Sequence, residues 1–193
     1  MSASLDPIAC ALFLVAAFVI AGVAQTIWLG SAAARRFAQP IDAGRTLRGR
    51  RILGPNKTIK GFVMMVPVAA VSFALLAAIA QSRHVAGLWL MPPVSYAAMG
   101  AWAGFGYMAG ELPNSFIKRQ LDVDAGSAAR GRVAAFVFFV LDRVDSMIGM
   151  MALTSLLVPV PARTWLYVAL IGPILHSCFS VAVFHRGGKA RAA

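Results

Sequence analysis

Five of the seven carboxylates in this 193-residue chain fall between Glu111 and Asp145, and two of them, Asp142 and Asp145, stand three residues apart. On a helix that spacing puts both side chains on one face, where their oxygens could hold one or two divalent cations. Upstream, Glu111, Asn114, Ser115, Lys118 and Arg119 form a second cluster, with Glu111 and Ser115 four apart and Ser115 and Arg119 four apart. If the chain is helical there, one acid, two bases and a hydroxyl (Glu111, Lys118, Arg119 and Ser115) share one face, although Pro113 opposes continuity. A third run, Gly54-Pro55-Asn56-Lys57-Thr58-Ile59-Lys60-Gly61, combines small or stiff residues with two lysines and with Asn and Thr side chains able to bond phosphate oxygens.

Each cluster also has a purely structural explanation. The aspartates could pair with Arg143, the second cluster could be a helix end facing headgroups, and the lysines could be ordinary loop charge. An ionised carboxylate at a membrane helix centre costs about 2.5 to 3.5 kcal/mol, so two within one turn need a partner, a cation or water, and this favours function. Several familiar motifs are excluded. Gly49 and Gly54 have the separation of a phosphate-binding loop, but Pro55 stands where its lysine belongs. Gly104 and Gly106 follow no strand, Ser115-x-x-Lys118 lacks the companions of an acyl-enzyme site, and His84, His176 and His185 show no ligand spacing. Asp6 and Asp42 are isolated, and Cys10 and Cys178, in apolar runs, read as buried free thiols.

The elements carrying these residues are apolar. With 60% hydrophobic and 13% charged residues, the chain is a membrane protein rather than a soluble, disordered or disulfide-stapled one. About 20 apolar residues span a bilayer. Five such spans are predicted: Ile8 to Gly30; Phe62 to about Ala80, with Pro67 in its first turns; a third that begins after Pro92 and Pro93 and reaches about Gly110; Val133 to Val160, ended by Pro159 and Pro161; and about Trp165 to Phe184, kinked at Pro173. Gly100 and Gly104, and again Gly106 and Gly110, are small faces that predict close helix packing. The fourth stretch exceeds the hydrocarbon thickness, so its boundary lies near Val140, beside Asp142 and Asp145.

Net charge is +11, and basic residues crowd three segments: Arg35 to Lys60, Lys118 to Arg132, and Arg186 to Arg191. The other loops hold only Arg83 and Arg163. This asymmetry predicts an N-terminus outside, a cytoplasmic C-terminus, and chemistry in two cytoplasmic loops, about 31–61 and 111–132. The expected fold is an all-α, polytopic five-helix membrane bundle forming one catalytic domain over 1–193, with no internal repeat. Because no Lys or Arg precedes the first apolar run, that helix is expected to be retained rather than cleaved.

Ser115-x-x-Lys118-Arg119 followed by Asp142-Arg143-x-Asp145-Ser146 resembles the signature of membrane cytidylyltransferases. Gly54-Pro-Asn-Lys-Thr58, Glu111-Leu-Pro-Asn-Ser-Phe-Ile-Lys-Arg119 and Leu141-Asp-Arg-Val-Asp145 are similar, more closely, to the CDP-archaeol synthase family, over essentially the whole chain. Phe138-Phe139-Val140 replaces the His-Gly-Gly of phosphatidate cytidylyltransferases, which favours the archaeal-type branch. Glu111 stands where an Asp is expected, and Arg143 where Gln is frequent. The resemblance implies attack of a lipid phosphate, archaetidic-acid-like or phosphatidic-acid-like, on the α-phosphorus of CTP, with Mg²⁺. It implies Asp142, Asp145 and Glu111 as metal ligands and Lys118, Arg119, Asp142 and Asp145 as catalytic residues. Asn56, Lys57, Thr58, Lys60, Asn114 and Ser115 would bind substrate. Expected partners are CTP, the lipid phosphate and the inner cell membrane, with no nucleic acid and with a homodimer left open. The rival reading is a small transporter or flippase of anionic lipid or phosphate; a structural subunit would leave the charged clusters unexplained.

Overall fold

The computed structural model describes residues 4–127 and 129–185. The chain is mostly helical, with five long helices: α1 Pro7–Leu29, α2 Ile59–Ser82, α3 Pro93–Gln120, α4 Arg132–Leu157 and α5 Ala162–His185. Each helix packs on its neighbour in sequence, and α5 returns against α1 to close the ring. The helices α1 and α2 are long and apolar enough to cross a membrane. All five carry large apolar side chains on their outward surfaces, among them Leu12, Leu75, Phe105, Phe136 and Leu170. The basic tail residues Arg186, Lys189 and Arg191 lie outside the described residues, as do the side chains of His176 and His185.

Helix ends follow local chemistry. Asp6 is not idle: it caps α1, accepting from the backbone N–H groups of Ile8 (2.7 Å) and Ala9 (2.8 Å). Val158 turns extended and ends α4 just ahead of Pro159 and Pro161. Three prolines do not interrupt: α2 runs through Pro67, α3 through Pro113 and α5 through Pro173. As a result α3 continues to Gln120, and the loop expected from about residue 111 begins only at Leu121. One missing N–H at Pro113 is outweighed by packing and side-chain bonds along the rest of α3.

The glycine stripes of α3 serve two partners. A Cβ on Gly100 or Gly104 would press on Ala69, Phe73 or Met65 of α2, whereas one on Gly106 or Gly110 would meet the backbone of Gly149 or Asp145 of α4. Six residues advance a helix by about 240°, so the two pairs face different neighbours. The core, built on Phe13, Phe73, Tyr96, Met99 and Met151, fills the half of the bundle remote from the polar loops. Cys10 is buried there, but Cys178 is exposed, because its position on α5 faces out of the ring.

The segment between α1 and α2 is folded on a single carboxylate. The Asp42 side chain is fully buried and accepts from Arg51 Nη2 (2.6 Å) and from the N–H groups of Gly44 (3.0 Å), Leu53 (3.0 Å) and Gly54 (2.9 Å). A two-stranded hairpin, β1 Thr46–Leu47 and β2 Arg50–Arg51, turns through Arg48 and Gly49, both at positive φ. Arg50 then ties it to the end of α3, donating to the Gln120 carbonyl and to Asp122, each at 2.5 Å. Burial alone would raise the Asp42 carboxyl, but these donors outweigh it and hold it well below the usual carboxylate range.

Two outcomes follow from this packing. Gly149→Val should destabilise the protein by about 1 to 3 kcal/mol, read as a lower melting temperature in detergent, because the Gly106 carbonyl leaves no room for the new side chain. Asp42→Asn should speed hydrogen exchange of the Leu53 and Gly54 amides at pH 7. In the wild type the same protection should hold above about pH 5 and fade as acid protonates a carboxylate whose folded pKa is lowered, whereas the variant should lack that dependence.

Candidate active site at the junction of α3 and α4

The continuous α3 brings the two predicted clusters together. Asn114 donates through Nδ2 to Asp142 Oδ1 (2.7 Å) and to Asp145 Oδ2 (2.9 Å), bridging both aspartates of α4. Lys118, one turn further along α3, contacts both oxygens of Asp142 at 2.5 and 2.6 Å, and its ammonium lies 5.3 Å from the centre of the Phe138 ring. Asp145 Oδ1 accepts from the Ser146 N–H (2.7 Å), and the Ser146 hydroxyl donates to Glu111 Oε1 (2.8 Å). The other Glu111 oxygen is paired with Lys57, delivered by the loop that precedes α2.

Five ionisable side chains therefore meet: carboxylates 111, 142 and 145 against lysines 57 and 118, one negative charge in excess. Burial by itself would lower the Lys57 ammonium, but Glu111 first, and Asp145 and Asp142 behind it, outweigh burial and raise it above the usual lysine value. Lys57 is therefore a fixed cation. Asp142 remains 47% exposed, so the cluster opens to the exterior at this carboxylate, whereas Lys118 beside it is only 14% exposed.

Arg119 completes the wall. Gly54 adopts a positive φ, and a Cβ there would lie 3.4 Å from the Arg119 side chain, so the loop and the end of α3 are in contact. Arg119 Nε is buried without a hydrogen-bond partner. The remaining expected substrate ligands are less engaged. Ser115 is buried in α3, Asn56 is exposed, Thr58 bridges Pro40 through its backbone, and Lys60 lies in the first turn of α2. No hydrogen bond joins Asn56, Thr58 or Lys60 side chains to the acidic cluster among the described residues.

The donor set suits a hard cation. It offers carboxylate oxygens, and Asn114 Oδ1, buried beside the aspartates, has no hydrogen-bond partner. The amide must turn its nitrogen to the carboxylates, since its oxygen would repel them, and this leaves the oxygen as an unused acceptor. Among the described residues no three His, Cys, Asp or Glu side chains gather closely enough to enclose a metal by themselves. That pattern fits Mg²⁺, which is commonly held by one or two carboxylates together with substrate phosphates.

Two contributors escaped the reading of the sequence. Asp42 shapes the loop that carries Lys57; its signal was the Asp-Ala-Gly44 turn, in which an aspartate bonds the N–H two residues on. Ser146, part of the Asp-Arg-x-Asp-Ser motif but given no role there, links Asp145 to Glu111. The structural explanation of the aspartates also fails on its own terms, because Arg143 forms no ion pair with either of them. Its guanidinium stacks 3.3 Å from the Phe139 ring centre and donates to Ser177 of α5.

Known proteins bear on this geometry. The family model described as CarS-like, CDP-archaeol synthase, matches residues 9–190. The CDP-archaeol synthase of Halobacterium salinarum is 37% identical over 122 residues, covering 63% of this chain and 61% of that protein. The chain thus spans about three-fifths of that relative's length. The CDP-archaeol synthase of Methanospirillum hungatei is 31% identical over 159 residues, covering 78% of this chain and 87% of the relative. A solved structure described as an intramembrane enzyme for archaeal membrane lipids biosynthesis superposes with a TM-score of 0.56 at 24% identity, over 83% of this chain and 90% of that one, and shares the fold. With its family model matched along nearly its whole length and its acids, lysines and asparagine drawn into one site, the chain belongs to the CDP-archaeol synthase family.

Proposed function

We propose that the protein is a Mg²⁺-dependent cytidylyltransferase that joins CTP to a membrane lipid phosphate, releasing pyrophosphate and CDP-lipid. The observation that carries this reading is the Asp142–Asn114–Asp145 bridge flanked by Lys118 and by the Lys57–Glu111 pair. Family membership supports the same reaction. A phosphate oxygen of the lipid attacks the α-phosphorus of CTP, a new P–O bond forms, and the bond to the β-phosphate oxygen breaks. Little covalent chemistry falls to the protein, and catalysis rests on positioning and charge neutralisation.

Each residue has work of that kind. Asp142 and Asp145 would hold Mg²⁺, with Glu111 a third candidate. The ion would supply Lewis-acid neutralisation of phosphate oxygens. Lys118, now engaged by Asp142, would turn as a point charge toward the triphosphate, and Arg119 would present a fork suited to two phosphate oxygens. Asn114 aligns the two aspartates, and Ser115 beside it on α3 would help position a phosphate or the base. Asn56, Lys57, Thr58 and Lys60 would meet phosphates from the opposite side, Lys57 being held in place by Glu111.

All five helices cross the bilayer in this reading, supported by the apolar side chains that each turns outward. The crowding of arginines and lysines between α1 and α2 and between α3 and α4 supports an external N-terminus and a site on the cytoplasmic side of the inner membrane, within one catalytic unit. CTP then arrives from water and the lipid from within the bilayer.

Purified protein supplied with Mg²⁺, labelled CTP and a panel of ether- and ester-linked lipid phosphates should move label into the organic phase. Asp145→Asn and Lys118→Met should each lower that rate by about 10²- to 10³-fold, the effect of removing one group that stabilises developing charge. Label confined to water for every acceptor would overturn the enzyme reading in favour of transport.

A further inference from the structure

Arg143 is a permanent cation on α4, one residue from Asp142, yet it takes no part in the acidic cluster. Successive residues on a helix point about 100° apart, so Asp142 faces α3 while Arg143 faces α5. Met147, one turn on, shares that orientation and packs on Gly172 of α5. Arg143 is anchored there through Nε to Ser177 Oγ (3.2 Å) and through Nη1 to the Phe139 carbonyl (2.8 Å), with the guanidinium flat against the Phe139 ring. No carboxylate neutralises it among the described residues, because Asp142 is engaged by Lys118 and Asn114 and Asp145 by Asn114 and Ser146. On the same two helices Phe136 and Val140 of α4 and Ile174 of α5 are exposed apolar side chains. A cation so placed is costly without a counter-charge, and the polar oxygens available from an apolar exterior are those of lipid headgroups.

We propose that Arg143, braced by Ser177, is the docking point for the phosphate of the lipid acceptor, which enters sideways along the α4–α5 face and so reaches the depth of Asp142. This deepens the cytidylyltransferase reading and rests on it. The chemistry recognised is a lipid phosphomonoester, whose doubly charged head a planar guanidinium can grip with two hydrogen bonds. A phosphodiester of bulk anionic lipid offers the same cation a weaker counter-charge, and the experiment separates the two.

Steady-state rates should be measured in neutral-lipid mixed micelles, varying the surface fraction of the accepted lipid phosphate at saturating CTP and then CTP at saturating lipid. Arg143→Gln should raise the KM for lipid phosphate by about 10- to 100-fold, the worth of a charged hydrogen-bonding pair, and leave the KM for CTP within about twofold. Arg143→Lys should recover part of the loss and Ser177→Ala should show a smaller change in the same direction, which keeps the test open should the Gln variant fail to fold. Retention of radiolabelled phosphatidic acid by the detergent-solubilised protein without CTP or metal should fall in step. An unchanged lipid KM in Arg143→Gln (or, should that variant fail to fold, in both Arg143→Lys and Ser177→Ala), a matching rise in the KM for CTP, or an equal rise in the wild-type lipid KM when phosphatidylglycerol is added to the micelle would each overturn the proposal. Absence of transfer by the wild type with retention intact would sink the enzyme reading alone.

Discussion

Two carboxylates within one turn of an apolar helix repel each other and lose hydration together, so their ionised state depends on donors brought from elsewhere. Here the donors come from α3. Asn114 spans both aspartates and Lys118 closes on one of them, and neither bond could form if α3 ended at Pro113 or stood farther from α4. The near-backbone contact of Gly106 and Gly110 with Gly149 sets that separation. Small residues and buried charge are thus one arrangement: the first brings the helices close, and the second is tolerable only because they are close.

The same logic extends outward to the polar segments. Glu111 joins the cluster through Ser146 and Lys57, and Lys57 belongs to a loop whose shape depends on Asp42. A fully buried carboxylate with four donors organises a stretch that otherwise consists of arginines repelling one another. Arg51 is drawn in to neutralise it, and Arg50 fastens the hairpin to the end of α3. The basic loop is therefore not a loose collection of positive charge. It is a folded segment that sets one lysine against the acidic site.

Much of this was legible in local pattern. Apolar runs located four of the helices within a few residues and the start of α3, though not its end ten residues beyond Gly110; the spacing of Asp142 and Asp145 put them on one face, and the glycine pairs of α3 marked close contacts. The limits were equally local. Pro113 reads as a helix end because sequence shows the lost N–H and not the compensating bonds to α4. Cys178 reads as buried because an apolar helix looks alike on all sides until its neighbours are known. Asp42 reads as isolated because three of its four donors are backbone groups, which carry no residue signature.

What the chain alone determined was chemical inventory and facing: which acids share a stripe, which loops are basic, and where the chain is too apolar for water. Which cation meets which anion was decided by the tertiary structure. Lys57 pairs with Glu111 and Lys118 with Asp142, while Arg143, the nearest base to both aspartates in sequence, turns away to α5. The reason is geometric: adjacent residues on a helix point about 100° apart, and partners more than twenty residues distant meet only where glycine contacts allow two helices to touch.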